Sequence, residues 1–154
     1  GILPNLSVRK NMTISSLHQI SKGIHVLKKK ETRDVMEMVE KLSVKTPSLE
    51  QLISKLSGGN QQKVLLARWL INENLKLLII DEPTRGIDVG AKSEIYSLMN
   101  QLASEGLAIL MVSSELPEIL GMCDRIYVMK DSRITGEFDR ADASETALLE
   151  KAIH

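Results

Sequence analysis

The chain has 154 residues, of which 43% are hydrophobic and 26% are charged, a composition that suits one globular domain with a buried core. Its 20 basic and 20 acidic residues give a net charge of zero, so the overall charge does not indicate binding to nucleic acid or to an anionic lipid surface. A single cysteine, Cys123, excludes an internal disulfide, and no apolar run approaches the roughly 20 residues that a membrane-spanning helix needs.

The first half of the chain is predicted to be mostly helical. In residues 1–30, polar residues and glycine interrupt the apolar pattern, so this segment is expected to be irregular with one short helix. Lysines 28–30 are expected to lie in an exposed loop. From Thr32 onward, apolar side chains recur at helical spacing, which predicts an amphipathic helix. Residues 48–51 have the Ser-x-x-Gln form of a capping box, so a short helix is expected after them.

A glycine pair opens the next predicted helix. Residues 56–63 read Leu-Ser-Gly-Gly-Asn-Gln-Gln-Lys, and the helix is expected to run from about Gly59 to Leu70. A serine and two glycines at a helix start present a hydroxyl and unpaired backbone N–H groups, and the helix dipole favours an anion there. A glycine pair alone usually marks only a turn, so this phosphate-site hypothesis depends on the motifs that follow.

Short apolar segments then alternate with helical ones. Residues 76–80 and 107–112 are predicted to be strands buried on both faces in a parallel sheet, and residues 125–129 a third strand that turns back at Asp131-Ser132. Asp88 is expected to cap the helix between the first two strands, and this helix ends at a glycine suited to a left-handed cap. This alternation is typical of an open α/β sheet, in which ligands bind beyond the carboxyl ends of the strands.

Polar residues follow two of these strands. Asp81-Glu82 comes after the first strand and Ser113-Ser114 after the second, where either serine is expected to cap a short helix. Two carboxylates at a strand end can hold one acid near a hydrated magnesium ion and the other near an attacking water. Alone, an Asp-Glu pair is usually part of a solvated loop. Its order and spacing after the glycine pair favour a nucleotide site.

Together these motifs resemble the ATP-binding subunits of ABC transporters, specifically the second cassette of the two-cassette sugar importers of the ribose and galactoside type. The resemblance covers nearly the whole chain and rests on residues 56–63, on residues 81–92, which read Asp-Glu-Pro-Thr-Arg-Gly-Ile-Asp-Val-Gly-Ala-Lys, and on residues 112–118. It implies an α/β fold, a partial P-loop NTPase cassette. A helical signature subdomain at residues 1–72 would precede the C-terminal half of a mostly parallel core at residues 73–154, with the divide near Glu73.

The resemblance also implies how the glycine pair works. In such proteins the signature motif faces ATP held by the opposite cassette of a head-to-tail pair, so Ser57, Gly58 and Gly59 would contact a γ-phosphate in trans. Asn60 stands where the usual signature has glutamine. The phosphate contact is expected to survive this change, because the backbone and Ser57 supply it.

The same resemblance gives roles to the polar strand ends. Asp81 would be the Walker B residue near Mg²⁺, Glu82 the residue that orients or deprotonates water, and Asp88 the D-loop residue that communicates across the dimer. Ser114 takes the switch position, which normally holds a histidine that contacts the γ-phosphate. A short, uncharged side chain there weakens the expectation that this cassette hydrolyses ATP at its own site.

The largest departure from the family pattern is the phosphate-binding loop. No Gly-x-x-x-x-Gly-Lys-Ser/Thr occurs in the sequence, and the glutamine of the Q-loop cannot be placed. Both are expected upstream of residue 1 in an intact subunit. The 154-residue fragment alone is therefore expected to be inactive.

Three functions stay open. The first is an ATPase that couples ATP binding and hydrolysis to import of a ribose-like monosaccharide, peripheral on the cytoplasmic face of the plasma membrane. Its partners would be a second cassette, transmembrane permease subunits and, indirectly, a periplasmic or extracellular sugar-binding protein. The second is a degenerate, non-catalytic cassette that donates its signature to a partner site, which Ser114 favours. The third is an ABC ATPase of DNA repair or translation, and the neutral charge argues against a nucleic-acid partner.

Overall fold

The structure, a computed structural model, describes residues 1–22, 25–72 and 74–153. Within these ranges the α-helices are α1 (Val8–Thr13), α2 (Lys28–Lys41), α3 (Gly58–Leu70), α4 (Val89–Ser104), α5 (Leu116–Met122) and α6 (Glu145–Ile153). The strands are β1 (Ser21–Lys22), β2 (His25–Val26), β3 (Leu77–Asp81), β4 (Ala108–Val112), β5 (Arg125–Lys130) and β6 (Arg133–Asp139). One 3₁₀ turn spans Ile53–Lys55.

The chain divides into two compact units. The first unit contains residues 1–78 and 84–110, and therefore all of α1 to α4. The second unit contains residues 79–83 and the chain from residue 111 onward, and therefore α5, β5, β6 and α6. The predicted divide near Glu73 falls on a residue outside the described ranges, so that division stays a prediction.

Helix α2 corrects one expectation. Lysines 28–30, predicted to form a loop, are the first turn of this helix, and Lys30 Nζ donates to the backbone oxygen of Gln19 at 2.7 Å. Leu27 occupies the N-cap position, so the serine, threonine, asparagine or aspartate that usually announces a helix start is absent there. The apolar spacing from residue 32 onward is confirmed as helical, but it marks only the later turns.

The capping-box prediction at residues 48–51 was wrong. The N–H of Gln51 donates to the oxygen of Ser48 in a turn, and only the 3₁₀ turn follows. Tertiary contacts explain the difference, because Val8 N–H donates to Gln51 O at 2.9 Å and Ile53 N–H donates to Leu6 O at 3.1 Å. The backbone of this segment thus pairs with the start of α1, the short helix expected in the first 30 residues.

Strands β3 and β4 form a parallel pair. Ala108 N–H donates to Lys76 O at 3.1 Å near the start of both strands, and Glu82 N–H donates to Val112 O at 2.8 Å near their ends. The prediction that these strands are buried on both faces was wrong, since Leu77 is 49% exposed and Ile79 is 64% exposed. Their apolar runs resemble those of a central strand, but alternate side chains lie open to solvent.

Strand β5 pairs with β6 in an antiparallel hairpin, so it does not extend the parallel pair as predicted. The predicted turn at Asp131-Ser132 is confirmed, and both residues have positive φ, 49° and 63°, as a type I′ turn requires. The register shifts opposite Val128, where Thr135 is the extra residue. Its hydroxyl donates to the oxygen of Lys151 at 2.7 Å and so satisfies a carbonyl in the last turn of α6.

The core of the first unit is apolar and contains a buried polar network. Its fully buried side chains include Val8, Met12, Val35, Ile53, Val64 and Ile95. The network joins Asn11 of α1 to Arg68 of α3, with Arg68 Nε donating to Asn11 O at 2.6 Å and Arg68 Nη2 donating to Asn11 Oδ1 at 3.0 Å. Burial lowers the pKa of Arg68 below its ordinary value. No helix among residues 1–22, 25–72 and 74–153 has both the length and the apolar character needed to cross a bilayer.

Candidate functional site

The signature segment lies at the start of α3, as predicted. Ser57 is the N-cap residue, with φ −63° and ψ 156°, and its side chain is exposed. The first backbone N–H groups of a helix have no partner within it, so this exposed turn presents donors to an anion. Its position agrees with the predicted phosphate-contacting role of Ser57, Gly58 and Gly59, which stays a prediction.

Asn60 has a role that the sequence reasoning missed. Its Nδ2 donates to Ser57 Oγ at 2.9 Å, and its Oδ1 accepts from Lys45 N–H at 2.7 Å. A shorter amide than the usual glutamine therefore holds the N-cap hydroxyl in place. The signal was local, because residues three apart at a helix start are close enough to bond.

The two signature glycines have different surroundings. A Cβ built on Gly58 would lie 3.7 Å from Gly86 O, which is an ordinary contact. A Cβ built on Gly59, which is buried, would lie 2.6 Å from Ala91 Cβ, which is closer than real side chains approach. The first turn of α3 thus packs directly on the segment around Asp88, within the first unit.

Asp88 caps α4, as predicted. It has φ −67° and ψ 157°, and its Oδ1 accepts from Ala91 N–H at 2.9 Å. The remaining carboxylate surface is exposed, so the residue keeps an acceptor at the beginning of the helix. The predicted D-loop role of Asp88 across a dimer is not tested by this geometry.

An ion pair between a buried lysine and a half-exposed glutamate lies one turn further along the helix from these glycines. Lys63, on α3, is 6% exposed, and its Nζ donates to Glu94 Oε2 at 2.8 Å and to Ser43 O at 3.2 Å. The hydrogen bond and the charge of Lys63 hold the pKa of Glu94 below its ordinary value. This pair could not be predicted from the sequence, because residues so far apart in the chain carry no local signal of contact.

In the second unit, Glu82 and Ser114 lie at the carboxyl ends of β3 and β4, and the structure brings them together. Ser114 N–H donates to Glu82 Oε1 at 2.9 Å. Glu82 has φ 46°, a left-handed conformation that is strained for residues other than glycine and that clusters at functional sites. Asp81 precedes it with an exposed side chain. Ser114 thus contributes its backbone N–H to holding the carboxylate.

The expectation that Ser113 or Ser114 caps α5 was wrong. The N-cap residue is Glu115, whose N–H donates to Ser113 Oγ at 3.0 Å. Pro117 lies in the first turn of this helix, as predicted. Ser113 therefore supports the turn that precedes the helix, and this leaves the backbone of Ser114 facing Glu82.

The described residues fit only part of a magnesium–nucleotide site. Across residues 1–22, 25–72 and 74–153, no group of three or more His, Cys, Asp or Glu side chains could hold a metal ion. Mg²⁺ usually takes one or two protein carboxylates and completes its shell with waters and phosphate oxygens. Asp81 and Glu82 meet that protein share. The phosphate-binding loop has no counterpart in the sequence.

Known proteins resemble this chain along nearly its whole length. The chain is 49% identical over 154 residues to a ribose import ATP-binding protein of Clostridium perfringens, and the alignment covers 99% of this chain and 30% of that protein. It is 51% identical over 154 residues to an arabinose import ATP-binding protein of Burkholderia cenocepacia, again over 99% of this chain and 31% of that protein. The chain thus spans less than a third of the relatives' length.

Solved structures share the fold. A dimeric ATP-binding cassette in a post-hydrolysis state, bound to ADP and Pi, superposes with a TM-score of 0.74 at 22% identity over 91% of this chain and 59% of that one. This likeness confirms the predicted fold, a partial ATP-binding cassette. The sequence profile of the ABC transporter family matches residues 1–85, which is more than half of the chain. The chain therefore belongs to the ABC transporter family.

Proposed function

We propose that this chain is the signature-to-switch part of an ATPase subunit that couples ATP binding and hydrolysis to monosaccharide import. The names of the relatives, which import ribose and arabinose, support the substrate class. The observation that carries the catalytic part is Glu82, held in a left-handed conformation with its carboxylate on the N–H of Ser114. A fixed carboxylate at a strand end can orient and deprotonate an attacking water.

The other site residues have complementary roles in this proposal. Asp81 holds Mg²⁺, which neutralises charge on the phosphates when it is bound. Ser57, with Gly58 and Gly59, presents a hydroxyl and backbone N–H groups to the γ-phosphate of ATP bound to another cassette. Asn60 keeps that hydroxyl oriented through its 2.9 Å hydrogen bond.

Partners follow from the same proposal. The signature and the carboxylates serve different nucleotides in a head-to-tail pair, so a second cassette is required, and the dimeric structure that shares the fold supports pairing. The subunit would sit on the cytoplasmic face of the plasma membrane, bound to permease subunits that receive sugar from a binding protein. The helical residues 1–72 and the core residues 73–154 would be separate parts of the cassette.

One observation favours a second function, a non-catalytic cassette that only donates its signature. Ser114 offers Glu82 a backbone N–H, and its own side chain is a short hydroxyl with no charge to place on a γ-phosphate. Hydrolysis at this cassette's own site would then be weak or absent, and turnover would depend on the partner site.

Replacing Glu82 by glutamine in the full-length subunit separates the two functions. Glutamine can still accept from Ser114 N–H, but it loses the charge needed to take a proton. If this site hydrolyses ATP, turnover should fall by roughly 100-fold or more, while ATP affinity is kept. Glu150→Gln, an exposed change on α6 in the same unit, is the matched control. Turnover that is the same in the Glu82→Gln protein as in this control would refute catalysis here and support the donor function.

A further inference from the structure

We propose that Ala91 and the Lys63–Glu94 ion pair are positioning residues that fix the signature helix α3 to helix α4, which Asp88 caps. The two segments would then move as one body toward the nucleotide. This proposal rests on the proposed function, in which both segments serve a site shared with another cassette. It assigns a packing role to three side chains that have no role in the proposed nucleotide site.

The first contact is between Gly59 and Ala91. Because a Cβ on residue 59 would lie 2.6 Å from Ala91 Cβ, α3 reaches this close approach only where the side chain is missing. Gly58, one residue earlier, has room for a methyl group, with its nearest neighbour 3.7 Å away. Gly59 is therefore needed for packing, whatever it also offers to a phosphate.

The second contact lies one turn further along both helices. Lys63 is four residues after Gly59, and Glu94 is three residues after Ala91, so the two contacts share one face of each helix. The Lys63 side chain is 7% exposed and the Glu94 side chain 51% exposed, so the carboxylate reaches inward to a buried ammonium. Removal of the carboxylate leaves a buried charge with Ser43 O as its remaining hydrogen-bond acceptor.

Buried apolar side chains follow the second contact on both helices. Val64 of α3 and Ile95 of α4, which directly follow Lys63 and Glu94, are both fully buried. Interiors are close-packed, so a helix pair held in this way shifts as a unit and does not stretch. A displacement of α4 is thereby passed to the first turn of α3, where Ser57 lies.

A size exchange tests the first contact in the full-length subunit. Gly59→Ala forces the helices apart by about 1 Å, and misplacement of that size lowers kcat by roughly 10- to 100-fold. The KM for ATP should stay unchanged, because the ATP-binding loop lies outside this contact. Adding Ala91→Gly to Gly59→Ala should restore most of the lost kcat. Gly121→Ala on α5, where the added methyl group would meet nothing within 4 Å, is the matched control for a glycine-to-alanine change without a clash.

Two results would overturn the packing role. A double variant as slow as Gly59→Ala would mean that Gly59 is required by the phosphate alone, and a Gly59→Ala protein with the kcat of the unmodified subunit would mean that the contact has no effect. A structural defect alone would lower the amount of folded protein and would leave kcat per active site unchanged. Titration of active sites with bound nucleotide separates these cases.

Hydrogen exchange tests the ion pair without relying on turnover. Glu94→Ala should speed amide exchange in α3, read at the amides from Gln61 onward, as well as in α4. Glu105→Ala, which removes the exposed pair with Lys41, should leave α3 unchanged. Exchange in α3 that is equal in both variants would refute the coupling. If Glu94→Ala speeds exchange in both helices but the unmodified subunit has no ATPase activity, the proposed function is refuted and the coupling of α3 to α4 is still supported.

Discussion

Replacing Asn11 by alanine should destabilise the first unit more than any other single change in a polar side chain of α1. Asn11 is fully buried, and its Nδ2 donates to the oxygens of Leu3, Leu6 and Ser7 at 3.0, 3.2 and 3.1 Å. Its Oδ1 accepts from Leu3 N–H and from Arg68 Nη2, both at 3.0 Å. One side-chain amide thus forms hydrogen bonds with the backbone of residues 3–7 and with the buried guanidinium of Arg68.

The size of the effect follows from these bonds. Each lost neutral hydrogen bond is worth about 1 kcal/mol, and a bond to a charged group about 1.5–3 kcal/mol. Several carbonyls near residues 3–7 can recover water, so the losses do not simply add. The buried Arg68 keeps the oxygens of Asn11 and Gly1 as acceptors but loses the third. A decrease of about 3–4 kcal/mol is expected, a large fraction of the ~5–15 kcal/mol typical of a domain.

Urea unfolding followed by tryptophan fluorescence measures this change. Trp69 is the single tryptophan and lies on α3 beside Arg68, so it reports on the first unit. The matched control is Asn100→Ala, an exposed position of α4, where alanine should be neutral or stabilise by a few tenths of a kcal/mol. If Asn11→Ala has the same midpoint and slope as this control, the network does not stabilise the unit as argued.

Two further changes test other contacts. Ser132→Gly should raise the melting temperature of the second unit, because glycine relieves about 0.5–1 kcal/mol of left-handed strain in the β5–β6 turn. Ser97→Gly, at an exposed position of α4, should instead lower stability. Calorimetry of both variants distinguishes relief of turn strain from a general effect of glycine. Glu94→Gln should destabilise the fold at neutral pH. Lys63 lowers the pKa of Glu94, so the two proteins should differ most in their free energy of unfolding above the ordinary carboxyl pKa of about 4.3. This difference should vanish as the pH falls through the folded-state pKa of Glu94. A difference that does not depend on pH would contradict the argument.

Local signals predicted the elements that carry the candidate site. The glycine pair at the start of α3, the Asp88 cap of α4 and the apolar run of β3 were each visible because one short stretch of sequence determines them. The placement of Glu82 and Ser114 at the carboxyl ends of strands followed from a rule of α/β sheets that needs only the strand ends. These features needed no knowledge of distant contacts.

Features that depend on distant partners could not be predicted. Residues 48–51 have the pattern of a capping box, but their backbone pairs with the start of α1, and tertiary pairing overrides local preference. Leu77 and Ile79 were predicted to be buried but are exposed, because an apolar sequence does not show which face of a strand packs against other elements. Helix α6 was missed although Ser144 offered a start signal, its hydroxyl accepting from Ala147 N–H at 3.2 Å.

The left-handed backbone at Glu82 sets stability against the catalytic role proposed for its carboxylate. A non-glycine residue at φ 46° carries roughly 1 kcal/mol or more of strain, which glycine at the same position would relieve. A search for thermostable variants that scored folding alone would therefore select glycine at this position and discard the carboxylate. Under the catalytic role proposed for Glu82, screening the full-length subunit for ATP hydrolysis would reverse that choice, and the residue recovered at position 82 would show which property had been selected.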